Sequence, residues 1–188
     1  MYHTIVIGGG CLGASTAISL QHKLNKQNKK EKVCLIDKSV LCAAESSRHS
    51  GIVRCANADQ DASIMASEST KLWKNLESIW GVGMESEQFG AIWISKKNQN
   101  GENKAWKELS KRMESINITF KEIDHSIASD LCGKSLVINK DESYYFEPAA
   151  LQIDPSILRS TIYDALDYNG VDVFEKTAVD TILSDENK

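Results

Sequence analysis

Hydrophobic residues fall in short blocks along the chain, and the spacing inside each block predicts its element. His3 to Ile7 (HTIVI) is a β-rich apolar run stopped by Gly8-Gly9-Gly10, which predicts a buried strand. Leu12 to Leu24 has helical spacing, with the small residues Ala14 and Ala17 on the side nearest that strand. Asn25 to Lys32 (NKQNKKEK) is polar and basic, as a solvated helix end and loop would be. Val33 to Ile36 (VCLI) predicts a second buried strand with Asp37 at its C-terminal end. Strand, helix, strand at this spacing is a parallel βαβ unit with a right-handed crossover.

Beyond it, Leu41 to Gly51 (LCAAESSRHSG) is dominated by small polar residues. Asp61 to Trp80 predicts one amphipathic helix with Ile64, Met65, Leu72, Leu76, Ile79 and Trp80 on its inner face, ended by Gly81-Val82-Gly83. The helical spacing of Trp73 and Trp80 favours core packing over an aromatic ligand box. Phe89 to Ser95 predicts a strand, Ala105 to Ile116 a helix through Trp106, Leu109, Met113 and Ile116, and Tyr144 to Phe146 a further strand. Asp154-Pro155 opens a helix with an N-cap and a first-turn proline, and Asn169-Gly170 closes it. Val171 to Phe174 and Thr181 to Leu183 predict two more strands.

Composition narrows the class. With 188 residues, 41% hydrophobic and 26% charged, the chain can bury a core of one domain or one and a half. The net charge of −4 argues against nucleic acid or an anionic membrane as partner, since both call for a basic face. The five cysteines form no CxxC pair and no metal-ligand spacing with the four histidines, so reduced thiols in a cytoplasmic protein without bound metal are expected. No run approaches the roughly 20 apolar residues that span a bilayer.

The chemistry lies in Gly8-Gly9-Gly10-Cys11-Leu12-Gly13, a G-x-G-x-x-G placed between strand and helix. Gly8 permits the turn, Gly10 lets a pyrophosphate approach the backbone, and Gly13 lets the helix sit close to the strand. Asp37 follows Gly13 by 37 − 13 = 24 residues, against about 20 in dinucleotide sites, and the basic excursion accounts for the excess. A carboxylate there accepts bonds from a ribose and repels a 2′-phosphate. The hydroxyl-rich segment from Glu45 to Gly51 suits the phosphate–ribitol chain of FAD, although composition alone equally allows a loop with capping serines.

On these residues the chain resembles the flavoprotein family of D-amino-acid oxidase, glycine oxidase and sarcosine oxidase, with the monomeric sarcosine oxidases looking nearest. The resemblance runs through IVIGGGCLGAS, LIDK, SSRHSGIVR, MASESTKLWKNLE, EQFGAIWIS, YYFEP and IDPSILRSTIYDALDYNGVDVFEKTAV. It implies an α/β fold: a Rossmann-like FAD-binding βαβ domain over 1–84 and 146–188, with part of an α+β substrate domain inserted over 85–145. It further implies that Gly8, Gly10, Cys11, Leu12 and Gly13 hold the pyrophosphate, that Asp37 takes the ribose, and that Lys38 lies beside the adenosine. Ser46, Ser47, Arg48, His49, Ser50 and Gly51 would line the phosphate–ribitol–flavin path, and Val179 would meet the adenine through its backbone. Arg54 falls where sarcosine-oxidase-like members hold the substrate carboxylate, a task that suits a bidentate guanidinium. For His49 a loop-stabilising bond is favoured over catalysis.

Gly51 departs from the pattern, since some sarcosine oxidases carry arginine there. Family members run to about twice this length, so an N-terminal portion of a longer enzyme is expected. The activity implied is oxidation of a small amino acid or secondary amine by hydride transfer to FAD. A 2-hydroxy-acid dehydrogenase remains an alternative. So does a catalytically incompetent nucleotide-binding module, possibly one that pairs with a second subunit.

Overall fold

The computed structural model describes residues 1–84, 86–98, 103–133, 137, 139 and 141–183. In chain order its elements are β1 (Thr4–Ile7), α1 (Cys11–Lys26), β2 (Val33–Ile36), a short 3-10 turn at Glu45–Ser47, β3 (Ile52–Val53), α2 (Gln60–Lys74), α3 (Leu76–Trp80) and β4 (Ala91–Lys96). Then follow α4 (Lys104–Ser115), β5 (Lys121–Ile123), α5 (His125–Leu131), β6 (Glu142–Glu147), β7 (Leu151–Gln152), α6 (Pro155–Asn169) and β8 (Asp172–Phe174). They form two compact units: Met1–Ser50 with Asn75–Glu85 and Asp154–Lys188, and Gly51–Lys74 with Ser86–Ile153. Residues 51–74 and 146–153 thus pack with the second unit, where the sequence grouped them with the first.

The first unit holds a parallel sheet of order β1-β2-β8. Central β2 buries Val33, Cys34 and Leu35 in succession, the unbroken apolar run that a strand covered on both faces needs. The predicted small residues Ala14 and Ala17 are fully buried, together with Ile18, while α6 buries Leu158, Ile162, Ala165 and Leu166. β1 corrects the sequence reading. Its burial alternates, and Ile5 and Ile7, which share one face, each remain 53% exposed instead of buried. Asn169 closes the unit: its side-chain NH2 donates to the Trp80 and Ala165 carbonyls, and its oxygen meets His22 Nδ1 at 2.8 Å.

Helix α6 starts as read. Asp154 accepts the Ser156 N–H at 2.7 Å, Pro155 follows, and Gly170 ends the helix at φ 71°. The Ser156 hydroxyl, then the Ser156 N–H, hold the Asp154 carboxyl below the usual aspartate range. A depressed folded-state pKa means a contribution that is complete above the unfolded value and lost as pH falls through the folded one. Asp154→Ala is therefore expected to lower the urea midpoint at pH 7, and to cost less as the pH falls through the folded value, where only a neutral cap is left to lose. Paired denaturation curves across the acid range check this.

The second unit contains an antiparallel sheet of order β4-β6-β5 and the two-stranded pair β3-β7. Trp93, Trp106, Phe120 and Tyr145 pack with ring centroids 5.2 to 5.8 Å apart, around Met113 and Ile118.

The predicted helix over 61–80 breaks at Asn75, because the chain passes there from the second unit to the first. Leu76 and Trp80 are buried as expected, but Ile64, Met65 and Leu72 are exposed. The inward positions of α2 are Ser63 and Thr70. Their short side chains let the Cys55–Asn57 backbone dock: Ser63 Oγ accepts the Asn57 N–H at 3.1 Å, and Thr70 Oγ1 lies 3.4 Å from Cys55 Sγ. Thr181 to Leu183 form no strand, and Ile182 and Leu183 stay exposed.

Candidate functional site

The register Ile7↔Ile36 and Ile36↔Phe174 brings the carboxyl ends of β1, β2 and β8 level. That edge of a parallel sheet is where α/β folds bind ligands. Gly8 leaves β1 at φ 103°, its N–H bonded to the Ile36 carbonyl at 2.8 Å. Gly10 is the N-cap of α1, and the first intrahelical bond runs from Ala14 N–H to Gly10 O. Leu12 and Gly13 therefore have no carbonyl four residues back within the helix. Their N–H groups, with the positive end of the dipole, suit an anion. No acidic residue sits in that turn to oppose one. The Leu12 side chain points to solvent at 87% exposure, so its backbone is what it can offer.

Asp37 is turned toward this mouth. One carboxylate oxygen accepts the Gly9 N–H at 2.6 Å and the other accepts the Ser39 N–H at 2.6 Å. A carboxylate has about four acceptor positions, so two remain for sugar hydroxyls. Ser46 reaches the same place from the polar segment, its Oγ accepting the Cys11 N–H at 2.9 Å. A Cβ built on Gly10 would meet only that hydroxyl, at 3.1 Å, so the cradle admits a phosphate beside a movable group.

A second loop is laced to the first. Thr177 N–H bonds the Asp37 carbonyl and Lys176 N–H the Ser39 carbonyl, both at 2.9 Å, which places exposed Val179 two residues from the Asp37 backbone. Glu175 accepts the Leu41 N–H at 2.7 Å and the Tyr163 hydroxyl. The Tyr163 bond, then the Leu41 bond, keep its carboxyl below the usual glutamate range. Glu175 and Gly9 were not singled out in the sequence. Both bonds join segments far apart along the chain, and no local pattern reports them.

The remaining expected residues are less uniform. Lys38, Arg48, His49 and Ser50 are exposed, and the Ser47 hydroxyl bonds the Ala44 carbonyl within its own turn. Gly51 has φ 76°, and a Cβ there would lie 2.2 Å from the Ile153 carbonyl oxygen. Any side chain at 51 would break the β3-β7 junction, which explains why arginine does not stand there. In the second unit the exposed Arg54 guanidinium lies 4.4 Å over the Trp93 ring. Among the described residues no carboxylate comes within ion-pair reach of it.

Beneath them is a residue the sequence did not flag. Glu147 is fully buried, and one oxygen accepts the N–H groups of Cys55 and Ala56, the latter at 3.2 Å. Its other oxygen accepts the Trp93 indole N–H at 3.2 Å. Glu147 thus fixes both the loop that carries Arg54 and the ring on which Arg54 lies. Alternation along β6 could have found it, because Glu147 shares a face with buried Tyr145.

Fold and mouth together define a dinucleotide-binding βαβ protein. The sequence model of the DAO family, the FAD dependent oxidoreductases, matches residues 3–188, and the chain belongs to that family. FAD is the cofactor of that family. Solved structures agree in fold. L-proline dehydrogenase from P. horikoshii superposes with TM-score 0.82 at 21% identity, over 99% of this chain and 47% of its own. Glycine oxidase from Bacillus cereus gives 0.79 at 19%, over 100% and 50%. L-amino acid deaminase from Proteus vulgaris gives 0.74 at 16%, over 94% and 40%. The chain thus spans about half the length of the solved structures it matches. No curated protein matches the sequence. Among the described residues, no helix is long and apolar enough to cross a membrane and no group of side chains could hold a metal ion.

Proposed function

We propose that this chain carries the FAD-binding elements and a substrate-carboxylate arginine of an oxidoreductase acting on a small amino acid or secondary amine. The observation that carries the reading is the mouth formed by the first turn of α1, the Asp37 carboxylate and Ser46 Oγ. These groups fit FAD in kind: N–H donors for a diphosphate, a carboxylate with spare acceptor capacity for a ribose, and a hydroxyl between them. The flavin, when bound, accepts a hydride equivalent from the substrate C–H.

The chain's own part is binding and orientation. Arg54 lies over the Trp93 ring and is unpaired with any described carboxylate, so its guanidinium stays available to a ligand carboxylate. That contact removes much of the rotamer freedom that a loose arginine loses on binding. The solved structures similar in fold include an L-proline dehydrogenase and a glycine oxidase, and proline and glycine are both carboxylate-bearing amines.

Flavin bleaching by a panel of amino acids, N-methyl amino acids and 2-hydroxy acids tests the substrate class. Amines should bleach it and 2-hydroxy acids should not. Arg54→Ala is expected to raise the half-saturation concentration of carboxylate substrates about 10- to 100-fold, the value of a charge-assisted bond pair. Arg54→Lys should recover only part of this, since a point charge cannot pair bidentately. An unchanged half-saturation in Arg54→Ala would remove Arg54 from the substrate site.

A further inference from the structure

The turn from Asp37 to Cys42 is held from two sides. On one side it grips Gly9. The Asp37 carboxylate accepts the Gly9 N–H at 2.6 Å, and the Cys42 N–H donates to the Gly9 carbonyl at 2.9 Å. Leu41 covers the α-carbon between them: a Cβ built on Gly9 would fall 2.2 Å from Leu41 Cδ2 and 3.2 Å from Asp37 Cβ. The glycine motif leaves this position open, between its first and second required glycines, yet here the turn packs where a side chain would go. Gly9 joins the end of β1 to Gly10, the N-cap of α1. Whatever moves the turn therefore moves the phosphate loop.

On its other side the turn meets the end of β8 and the loop beyond. Asp37 N–H bonds the Phe174 carbonyl, Lys176 N–H the Ser39 carbonyl and Thr177 N–H the Asp37 carbonyl, each at 2.9 Å. These are backbone bonds, open to nearly any sequence. The fourth depends on a side chain, since Leu41 N–H donates to Glu175 Oε1 at 2.7 Å. Leu41 is fully buried, so its N–H relies on that acceptor. Glu175 is itself braced. The Tyr163 hydroxyl donates to the same oxygen, and the Arg159 guanidinium lies 5.7 Å over the Tyr163 ring. Both residues stand on α6, which is anchored by buried Leu158, Ile162, Ala165 and Leu166.

We infer that Glu175 is a positioning residue of the nucleotide site: braced by Tyr163, it seats the Asp37–Cys42 turn on Gly9 and so sets the spacing between the ribose carboxylate and the diphosphate loop. It works through Leu41, not on the ligand. The inference rests on the dinucleotide reading above and adds the side chain that holds the two halves of that site in register.

Removing the Glu175 carboxylate leaves the Leu41 N–H without its partner. An unpaired donor in a buried residue is costly, so the turn shifts toward another acceptor. Leu41 and Asp37 then draw back from Gly9 together. A ribose and a diphosphate no longer find both their partners already in place, and the ligand bears the cost of restoring them. Both groups belong to the adenosine diphosphate half of FAD, so ADP should suffer as much as FAD.

Calorimetric titration of the full chain with ADP and with FAD tests this. Glu175→Ala is expected to weaken both about ten-fold, the worth of one hydrogen bond to a charged group. Glu175→Gln keeps an oxygen that can take both donors, so it should stay within about three-fold of the parent. Tyr163→Phe leaves Leu41 its acceptor but removes the brace. It should fall between the two, and it carries the test should Glu175→Ala not fold. An independent loss of stability would multiply with the loss from Asp37→Ala, whereas the doubly substituted chain should lose less than that product. Without ligand, the Gly9 and Cys42 amides should exchange with solvent at least ten-fold faster in Glu175→Ala, while the Ile162 amide keeps its parent rate.

Parent-like binding of ADP and FAD by Glu175→Ala, or by Tyr163→Phe in its place, would overturn the role. So would a Glu175→Gln chain weakened as much as Glu175→Ala, a fully multiplicative double substitution, or unchanged exchange at Gly9 and Cys42. A parent chain that binds neither ligand would sink the dinucleotide reading instead, and the exchange rates would still decide whether Glu175 seats the turn.

Discussion

Gly13→Ala is expected to destabilise the protein by about 2–4 kcal/mol, with Gly13→Val worse, and to abolish FAD uptake at micromolar flavin. Local propensity predicts the opposite sign, since alanine is better than glycine inside a helix by about 1 kcal/mol. Contact decides it. A Cβ on Gly13 would lie 1.8 Å from the Gly8 carbonyl oxygen, 3.0 Å from the Gly8 carbonyl carbon and 3.5 Å from Val6 Cγ1. Two of those three atoms are backbone at the end of β1, so no rotamer change relieves the overlap. The helix must move off the strand, and its first-turn N–H groups move away from Asp37 with it. Urea unfolding and flavin titration of the two variants measure both effects. A Gly13→Ala protein with a raised midpoint would mean that α1 does not sit against β1 as described.

Removing the Glu147 carboxylate is the second large effect. In Glu147→Leu two buried donors, the N–H groups of Cys55 and Ala56, and the half-buried Trp93 indole N–H lose their acceptor. Each unsatisfied buried donor costs about 1–3 kcal/mol, and leucine recovers part through its apolar surface. The net loss should be about 3–5 kcal/mol, the range for breaking a buried polar cluster. Glu147→Gln discriminates acceptor chemistry from volume. It keeps one oxygen for the two backbone donors but turns an NH2 toward the indole N–H, so its loss should fall between parent and leucine. Trp93 also supports Arg54, so near-ultraviolet circular dichroism should change in both variants. A Glu147→Leu protein as stable as the parent would show that the three donors find water instead.

Features set by neighbours in sequence were legible in it. The glycine turn, the two flanking strands, Asp37 at a strand end, and the Asp154, Pro155 and Gly170 signals all depend on residues a few positions apart. Features set by long-range pairing were not. β3 and β7 have two residues each and β5 has three, so their periodicity carries no signal, and partners such as Ile52↔Gln152 define them. Helix α2 misled because its apolar stripe is real but outward, while Ser63 and Thr70 face in. Tertiary packing chose small residues where hydrophobicity alone would choose large ones.

The site shows the same division. Asp37 was readable from spacing, but its bond to Gly9 was not, and neither was the lacing of Glu175 to Leu41. Arg54 was found through resemblance. What holds it, Trp93 over Glu147, depends on the β4-β6 register and on a loop-to-sheet contact.

The central claim is that the α1 mouth and Asp37 bind FAD, and a flavin absorbance titration of the purified chain beside Asp37→Ala tests it most directly. Saturable binding by the parent is predicted, weakened at least ten-fold, about 1.4 kcal/mol, in the variant. A parent chain folded by circular dichroism that takes up no flavin, or an Asp37→Ala chain that binds equally well, would contradict it.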